Sequence, residues 1–144
     1  GQVMHALLQW HVPGQAPSVS RLRQLASSLA LSEDAVERAG ALAQVIAHGE
    51  GAWAWDPALI TIAHAEIELA SGGQLMRLDR VVQRRDTGAW WVLDFKSHHQ
   101  PADHPEWLAQ VKAYARAWAR AHPGEEVCAA LLGGDGRLWP VAWQ

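Results

Sequence analysis

The sequence predicts one α/β domain, an α/β sandwich of five strands flanked by helices, and three features of its hydrophobic pattern predict it. Apolar residues recur at helical spacing through roughly the first fifty positions. The period then changes to two over residues 59 to 96. A single long amphipathic helix separates that block from two further short strands. The 144 residues suit one domain, with a helical N-terminal part over 1–50 and an αβ core over 59–142.

The elements follow in order. Residues 3 to 11 read as a helix, with Met4, Leu7, Leu8 and His11 at helical spacing, broken by Pro13, Gly14 and Pro17. Ser18 or Ser20 can cap a second helix that runs to about Ala30. Ser32 starts a third, with Glu33 and Asp34 placed against the partial positive charge of its N-terminus, and Gly49 and Gly51 end it after His48. In the strand over 59–69, alternation puts Ile60, Ile62, His64, Glu66 and Glu68 on one side and Ala63, Ala65, Ile67 and Leu69 on the other. Turns at Ser71-Gly72-Gly73 and Asp86-Thr87-Gly88 join it to strands over 75–84 and 89–96, an antiparallel meander. The helix over 104–121 carries a stripe of Trp107, Val111, Tyr114 and Trp118 that faces the sheet. Strands over 127–132 and 137–142 close the chain around the turn Gly133-Gly134-Asp135-Gly136.

Composition narrows the function. No apolar run is long enough to span a bilayer and no signal-peptide pattern opens the chain, so no membrane partner is expected. The single cysteine, Cys128, excludes a disulfide framework and a cysteine cluster and fits a reducing cytoplasm. A net charge of −3 does not advertise a nucleic-acid binder, although Arg77, Arg80, Arg84 and Arg85 cluster on one segment and Lys112, Arg116 and Arg120 repeat along one helix face. Most of the nine tryptophans are expected in the core, with some free to stack on bases.

The chemistry gathers where the run Trp90-Trp91-Val92-Leu93 ends in Asp94-Phe95-Lys96. Residues two apart in a strand point the same way, so Asp94 and Lys96 share the face of Trp90 and Val92, while Trp91, Leu93 and Phe95 fill the other. Both faces are apolar, which reads as a central strand covered on both sides. A carboxylate and an ammonium at its end are costly unless paired or engaged with a ligand. The plainer reading is a structural ion pair. Asp79 weighs against it: a hairpin about residues 86–88 brings Asp79 close to Asp94. Two carboxylates and a lysine make a site for a hard divalent cation, Mg²⁺ or Mn²⁺, with the lysine free to orient water or neutralise phosphate charge.

With Asp79 preceding Asp94-Phe95-Lys96-Ser97, the chain resembles the PD-(D/E)xK nucleases in their RecB-like form. Gly1-Gln2-Val3-Met4-His5-Ala6-Leu7-Leu8 is similar to that family's N-terminal GxxxHxLL helix. Glu66 resembles the glutamate on the strand before the first catalytic aspartate, and Gln110 and Tyr114 match its QxxxY. The resemblance implies a restriction-endonuclease-like fold with a central mixed sheet, and metal ligation by His5, Asp79, Asp94 and the Phe95 carbonyl. It implies catalysis by Asp79, Asp94 and Lys96, with Glu66, Gln110 and Tyr114 supporting the site or the substrate. Closest in pattern are the C-terminal nuclease domains of bacterial helicase–nucleases of the RecB and AddA type. The implied context is therefore a cytoplasmic bacterial enzyme of DNA-end processing and recombinational repair. Single-stranded DNA would be fed to it by a covalently linked helicase motor, beside a second helicase–nuclease subunit. Phe95 stands where that family more often has tyrosine, and residues 12–58 match no motif and read as a structural helical cap.

The rivals are a non-catalytic nuclease-fold module for DNA binding or subunit contact, and a purely structural domain. Smaller candidates take plainer readings. His64 with Glu66 and Glu68 offers a carboxylate–imidazole cluster but reads as an ordinary polar strand face; His98, His99 and His104 can contact DNA phosphate or occupy an exposed loop, and the loop is the plainer reading; Gly133 to Gly136 reads as a turn, lacking the lysine of a phosphate loop; Ser97 has no triad.

Overall fold

The computed structural model describes residues 1–144. Helices α1 (Gln2–Gln9), α2 (Val19–Ser28) and α3 (Glu33–Ala47) come first, followed by a 3-10 turn at Ala52–Trp55. Strands β1 (Ile60–Ser71), β2 (Gln74–Arg84) and β3 (Trp90–Phe95) lead through a short 3-10 turn to α4 (Pro105–Ala121), then β4 (Val127–Leu132) and β5 (Leu138–Val141). Ser18 and Ser32 cap α2 and α3 by accepting from the N–H groups of Arg21 and Ala35. The predicted elements are all present, most with ends within two residues.

The sheet order is β1-β2-β3-β4-β5. All neighbours are antiparallel except β3 and β4, which are parallel and joined through α4. A parallel pair cannot be joined by a hairpin, so the chain must cross a face of the sheet, and the stripe of α4 covers that face. Val111 and Trp118 pack there against Val92, Trp90, Val81 and Leu131. The opposite face carries α1 and α3, whose Met4, Leu8 and Ile46 pack with Leu93, Phe95 and Leu132. β3 is thus central and buried on both sides.

Two readings are corrected. The side-chain alternation of β1 is not continuous. Ile60 belongs to the helical-cap core, His64 lies against Trp90 and Trp118, and Ile67 and Leu69 pack on that same α4 side. A register shift between Ile60 and Ile62 makes the first change of side, and Glu66, with φ at +52°, makes the second. β2 changes phase in step: Leu78 and Val81, three apart, both face α4. The register is the same on both sides of the break, Ala65 opposite Arg80 and Ile67 opposite Leu78. The row between them is Glu66 and Asp79, so the sheet is dislocated at the row that carries the acids.

The basic segment is also not a free patch. Arg80 is 7% exposed and donates twice to the Ala54 carbonyl, at 3.1 and 2.9 Å, with its guanidinium over the Trp55 ring. Burial pulls its pKa down to about 10, which leaves it charged at neutral pH. Arg77 pairs with Glu66, Arg84 with Asp86, and Arg85 donates to the carbonyls of Pro57 and Ile60. Arg80 and Arg85 tie the sheet to the segment before β1, Arg84 lies over Trp53, and Arg77 pairs within the sheet.

The glycine turn after β4 has a positional purpose. Gly134 N–H donates to the His98 carbonyl at 2.8 Å, and a Cβ on Gly134 would overlap the Ser97 carbonyl. Only a bare backbone lets the segment after Lys96 lie here. Gly134→Ala is expected to cost about 1–3 kcal/mol, read as a lower urea midpoint; an unchanged midpoint would remove this contact from the account.

Candidate active site

Asp94 follows the apolar run of β3, as the pattern predicts, and is itself buried, 4% exposed. Continuing the β2–β3 register one step beyond Arg80 and Leu93 sets Asp79 beside it. There the regular ladder stops, and the Asp79 carboxylate takes over: Oδ2 accepts from the Phe95 N–H at 2.8 Å. Lys96 Nζ lies 3.1 Å from Asp94 Oδ2, but outside hydrogen-bond geometry, so this buried oxygen has no hydrogen-bond partner. The Lys96 ammonium offsets part of the charge, but two buried carboxylates side by side are stable only where a proton or a further cation joins them.

The two acids are pushed apart. Burial, then the negative charge of Asp79, raises the Asp94 carboxyl to about 8, against the pull of Lys96. Burial would raise Asp79 as well, but the hydrogen bonds from His5 and from the Asp94 carboxyl, the charge of His5 and the Phe95 N–H together hold it below the usual range. The proton affinities of the two acids are thus driven in opposite directions, Asp94 upward and Asp79 downward.

His5 reaches the site from α1. Its Nε2 is 3.1 Å from Asp79 Oδ2 and its Nδ1 is 2.8 Å from the Gly1 carbonyl. Burial acts to lower its pKa, but Asp79 and the Gly1 carbonyl outweigh burial and the net shift is upward. Both ring nitrogens face oxygen acceptors, which favours the imidazolium so long as no cation replaces the proton on Nε2. Phe95 is buried beneath, tilted against the His5 ring at 5.7 Å and stacked on Trp55 at 5.8 Å.

Lys96 is held from the other side by α4. Gln110 Oε1 accepts from its ammonium at 3.2 Å, and Gln110 Nε2 donates to Tyr114 Oη at 2.8 Å. Burial, then the charges of Asp94 and Asp79, raises the Tyr114 phenol, which stays a neutral hydrogen-bonding group. Trp107 lies 5.1 Å from Lys96 Nζ across its ring face. Sequence reasoning placed Trp107 only in the core stripe; its spacing of three residues before Gln110 was the available signal.

The structure therefore brings His5, Asp79, Asp94, Phe95, Lys96, Gln110 and Tyr114 into one connected site. Glu66 sits in the same cross-strand row, but its carboxylate is bonded to Arg77 at 2.8 Å rather than to any of these groups. A strand residue other than glycine with positive φ is strained, and such strain gathers at functional sites. His64 is engaged with Trp90 and Trp118. His98, exposed, and His104, half-buried, lie in the loop between β3 and α4 and pack there on Trp107. A cavity of about 420 Å³ between α1 and α2, lined by Trp10, His11 and Arg21, contains none of the acids.

The donor set suits a hard divalent ion, with carboxylate oxygens, one imidazole nitrogen and an Asp94 Oδ2 that is ion-paired with Lys96 but accepts no hydrogen bond. No three His, Cys, Asp or Glu side chains are drawn into a finished coordination group; the ligands stand as the His5–Asp79 pair with Asp94 beside it.

Comparison with known proteins places the chain in a family. A model of the PD-(D/E)XK nuclease superfamily matches residues 1–139, and the chain belongs to that superfamily. No curated protein matches the chain. The crystal structure of SSO0001 is similar at 13% identity, covering 97% of this chain and 75% of that one with a TM-score of 0.32, a likeness too low to carry an argument.

The raised Asp94 pKa has a consequence for stability. The unfolded acid ionises near pH 4, whereas the folded one stays neutral until about 8. Its contribution to stability is complete below about pH 4 and is lost as pH rises through 8. In metal-free buffer the thermal midpoint is expected to fall from about pH 4 to 8 and to level off above that. Asp94→Asn, whose amide can donate to Asp79, is expected to flatten that fall and to gain on the order of 1–3 kcal/mol at the alkaline end. Parallel curves for the two proteins would refute the assignment.

Proposed function

We propose that this protein is a deoxyribonuclease dependent on Mg²⁺ or Mn²⁺ that hydrolyses the phosphodiester bonds of single-stranded DNA. The observation that carries the reading is Asp94: a buried carboxyl, raised to about 8, with one oxygen lacking a hydrogen bond and a lysine 3.1 Å away. A group poised in this way favours a cation in place of its proton.

His5, Asp79, Asp94 and the Phe95 carbonyl would hold the ion, which when bound supplies Lewis-acid stabilisation of the charge that develops on the phosphate. The rest is work for the chain's own groups. Lys96, fixed between Asp94 and Gln110, orients the attacking water in line with the leaving oxygen and offsets negative charge as the bond forms. Gln110 holds the ammonium in place, and Tyr114 in turn holds the Gln110 amide. Glu66, next to Asp79 in its row, tunes the field at that acid or meets the substrate. Phe95 in place of tyrosine is tolerated because its backbone, not its ring, meets Asp79.

The order of the GxxxH, D, DFK and QxxxY elements supports a RecB- or AddA-like origin, a nuclease domain joined to a helicase motor, working with a second subunit in DNA-end processing and recombinational repair in the bacterial cytoplasm. No helix is long and apolar enough to cross a membrane.

Incubated with end-labelled single-stranded DNA and Mn²⁺, the protein is expected to cut it. Asp94→Ala and Lys96→Ala should each reduce the rate by about 10²–10³-fold or more. Binding without cleavage, by the isolated chain and in a helicase-linked form alike, would favour the non-catalytic module. Manganese should also raise the thermal midpoint, equivalent to about 2.7 kcal/mol at a hundredfold excess over Kd. Asp79→Asn should abolish that rise; a rise that survives would place the metal elsewhere.

A further inference from the structure

Three rings are gathered beside the Lys96 ammonium. His104 lies nearly parallel to Trp107, with centroids 3.9 Å apart and 25° between the planes. His98 meets both edge-on, 4.7 Å from Trp107 and 5.2 Å from His104. Lys96 Nζ is 5.1 Å from the Trp107 centroid. Different parts of the chain are used to build this cluster: His98 follows the lysine by two residues, His104 precedes α4, and Trp107 is in its first turn. The Gly134 N–H holds the His98 carbonyl.

The hydrolytic chemistry uses none of these rings. Their one polar side-chain contact is between His104 Nδ1 and Glu106, at 3.2 Å. His98 is exposed and His104 and Trp107 are half-buried, so the indole forms the floor and the imidazoles face solvent. Open aromatic faces next to a cation are what a single-stranded polynucleotide needs: a ring for an unstacked base and a charge for the adjoining phosphate. A base inside a duplex already has both faces covered.

We propose that the outer faces of His98 and His104, backed by Trp107, stack a nucleobase of single-stranded DNA whose adjoining phosphate lies against Lys96. The proposal rests on the nuclease reading and adds how the strand is held and why a single strand suits the site. Because stacking accepts any base, the platform grips without sequence preference.

The test is binding of a labelled oligodeoxythymidine in EDTA, where no cleavage occurs, followed by fluorescence anisotropy. Replacing both histidines, His98→Ala with His104→Ala, is expected to weaken binding roughly tenfold. His98→Phe with His104→Phe should restore it, since ring faces and not imidazole charge are required. An abasic site scanned along the oligonucleotide should weaken wild-type binding at one position and leave the double-alanine protein indifferent there. Equal affinity of the wild-type and alanine proteins, equal abasic penalties in both, or no binding by the wild type would overturn the platform. Cleavage with Mn²⁺ is scored separately. Cutting without the binding difference sinks the platform alone, and the binding difference without any cutting sinks the nuclease reading alone.

Discussion

A single carboxylate oxygen holds the site together. Asp79 Oδ2 accepts from the Phe95 N–H of β3 at 2.8 Å and faces His5 Nε2 of α1 at 3.1 Å. Where β2 and β3 stop pairing through their backbones, this side chain continues the connection and adds a helix to it. The partners of Asp79 hold its pKa down, and burial together with that negative charge pushes Asp94 up. The dislocation of β1 and β2 at the Glu66–Asp79 row belongs to the same constraint, because an uninterrupted ladder would leave Asp79 no reason to reach toward the Phe95 amide.

The parallel pairing of β3 and β4 supplies the other half. It forces a crossover, and the crossover helix delivers Trp107, Gln110 and Tyr114 to the end of β3 where Lys96 emerges. The same helix seals the sheet with Val111 and Trp118. Packing and chemistry therefore share one amphipathic stripe. Residues three or four apart stand on one face, some over the core and some over its rim.

Charge is used sparingly. Four arginines between residues 77 and 85 are engaged with carboxylates, carbonyls or a tryptophan face. With a net charge of −3 the domain has little long-range attraction for a polyanion. Under the proposed function, a hold on a strand rests on short-range contacts at the site.

The sequence by itself determined the elements, their order and the central placement of β3, because periodicity reports which faces are buried, and burial is the largest local demand on a chain. It also determined the pairing of Asp94 with Lys96 and of Gln110 with Tyr114, since both follow from spacing within one element. Only the tertiary structure decided the rest. That Arg80 turns inward to the Ala54 carbonyl depends on a turn 26 residues away. That Glu66 meets Arg77, and that β1 changes face twice, depends on how two strands accommodate the same row. That His98, His104 and Trp107 form one stack depends on Gly134, in a different turn, letting the backbones approach. Spacing encodes neighbours along one strand or helix; contacts between elements are fixed by close packing, which no single segment specifies.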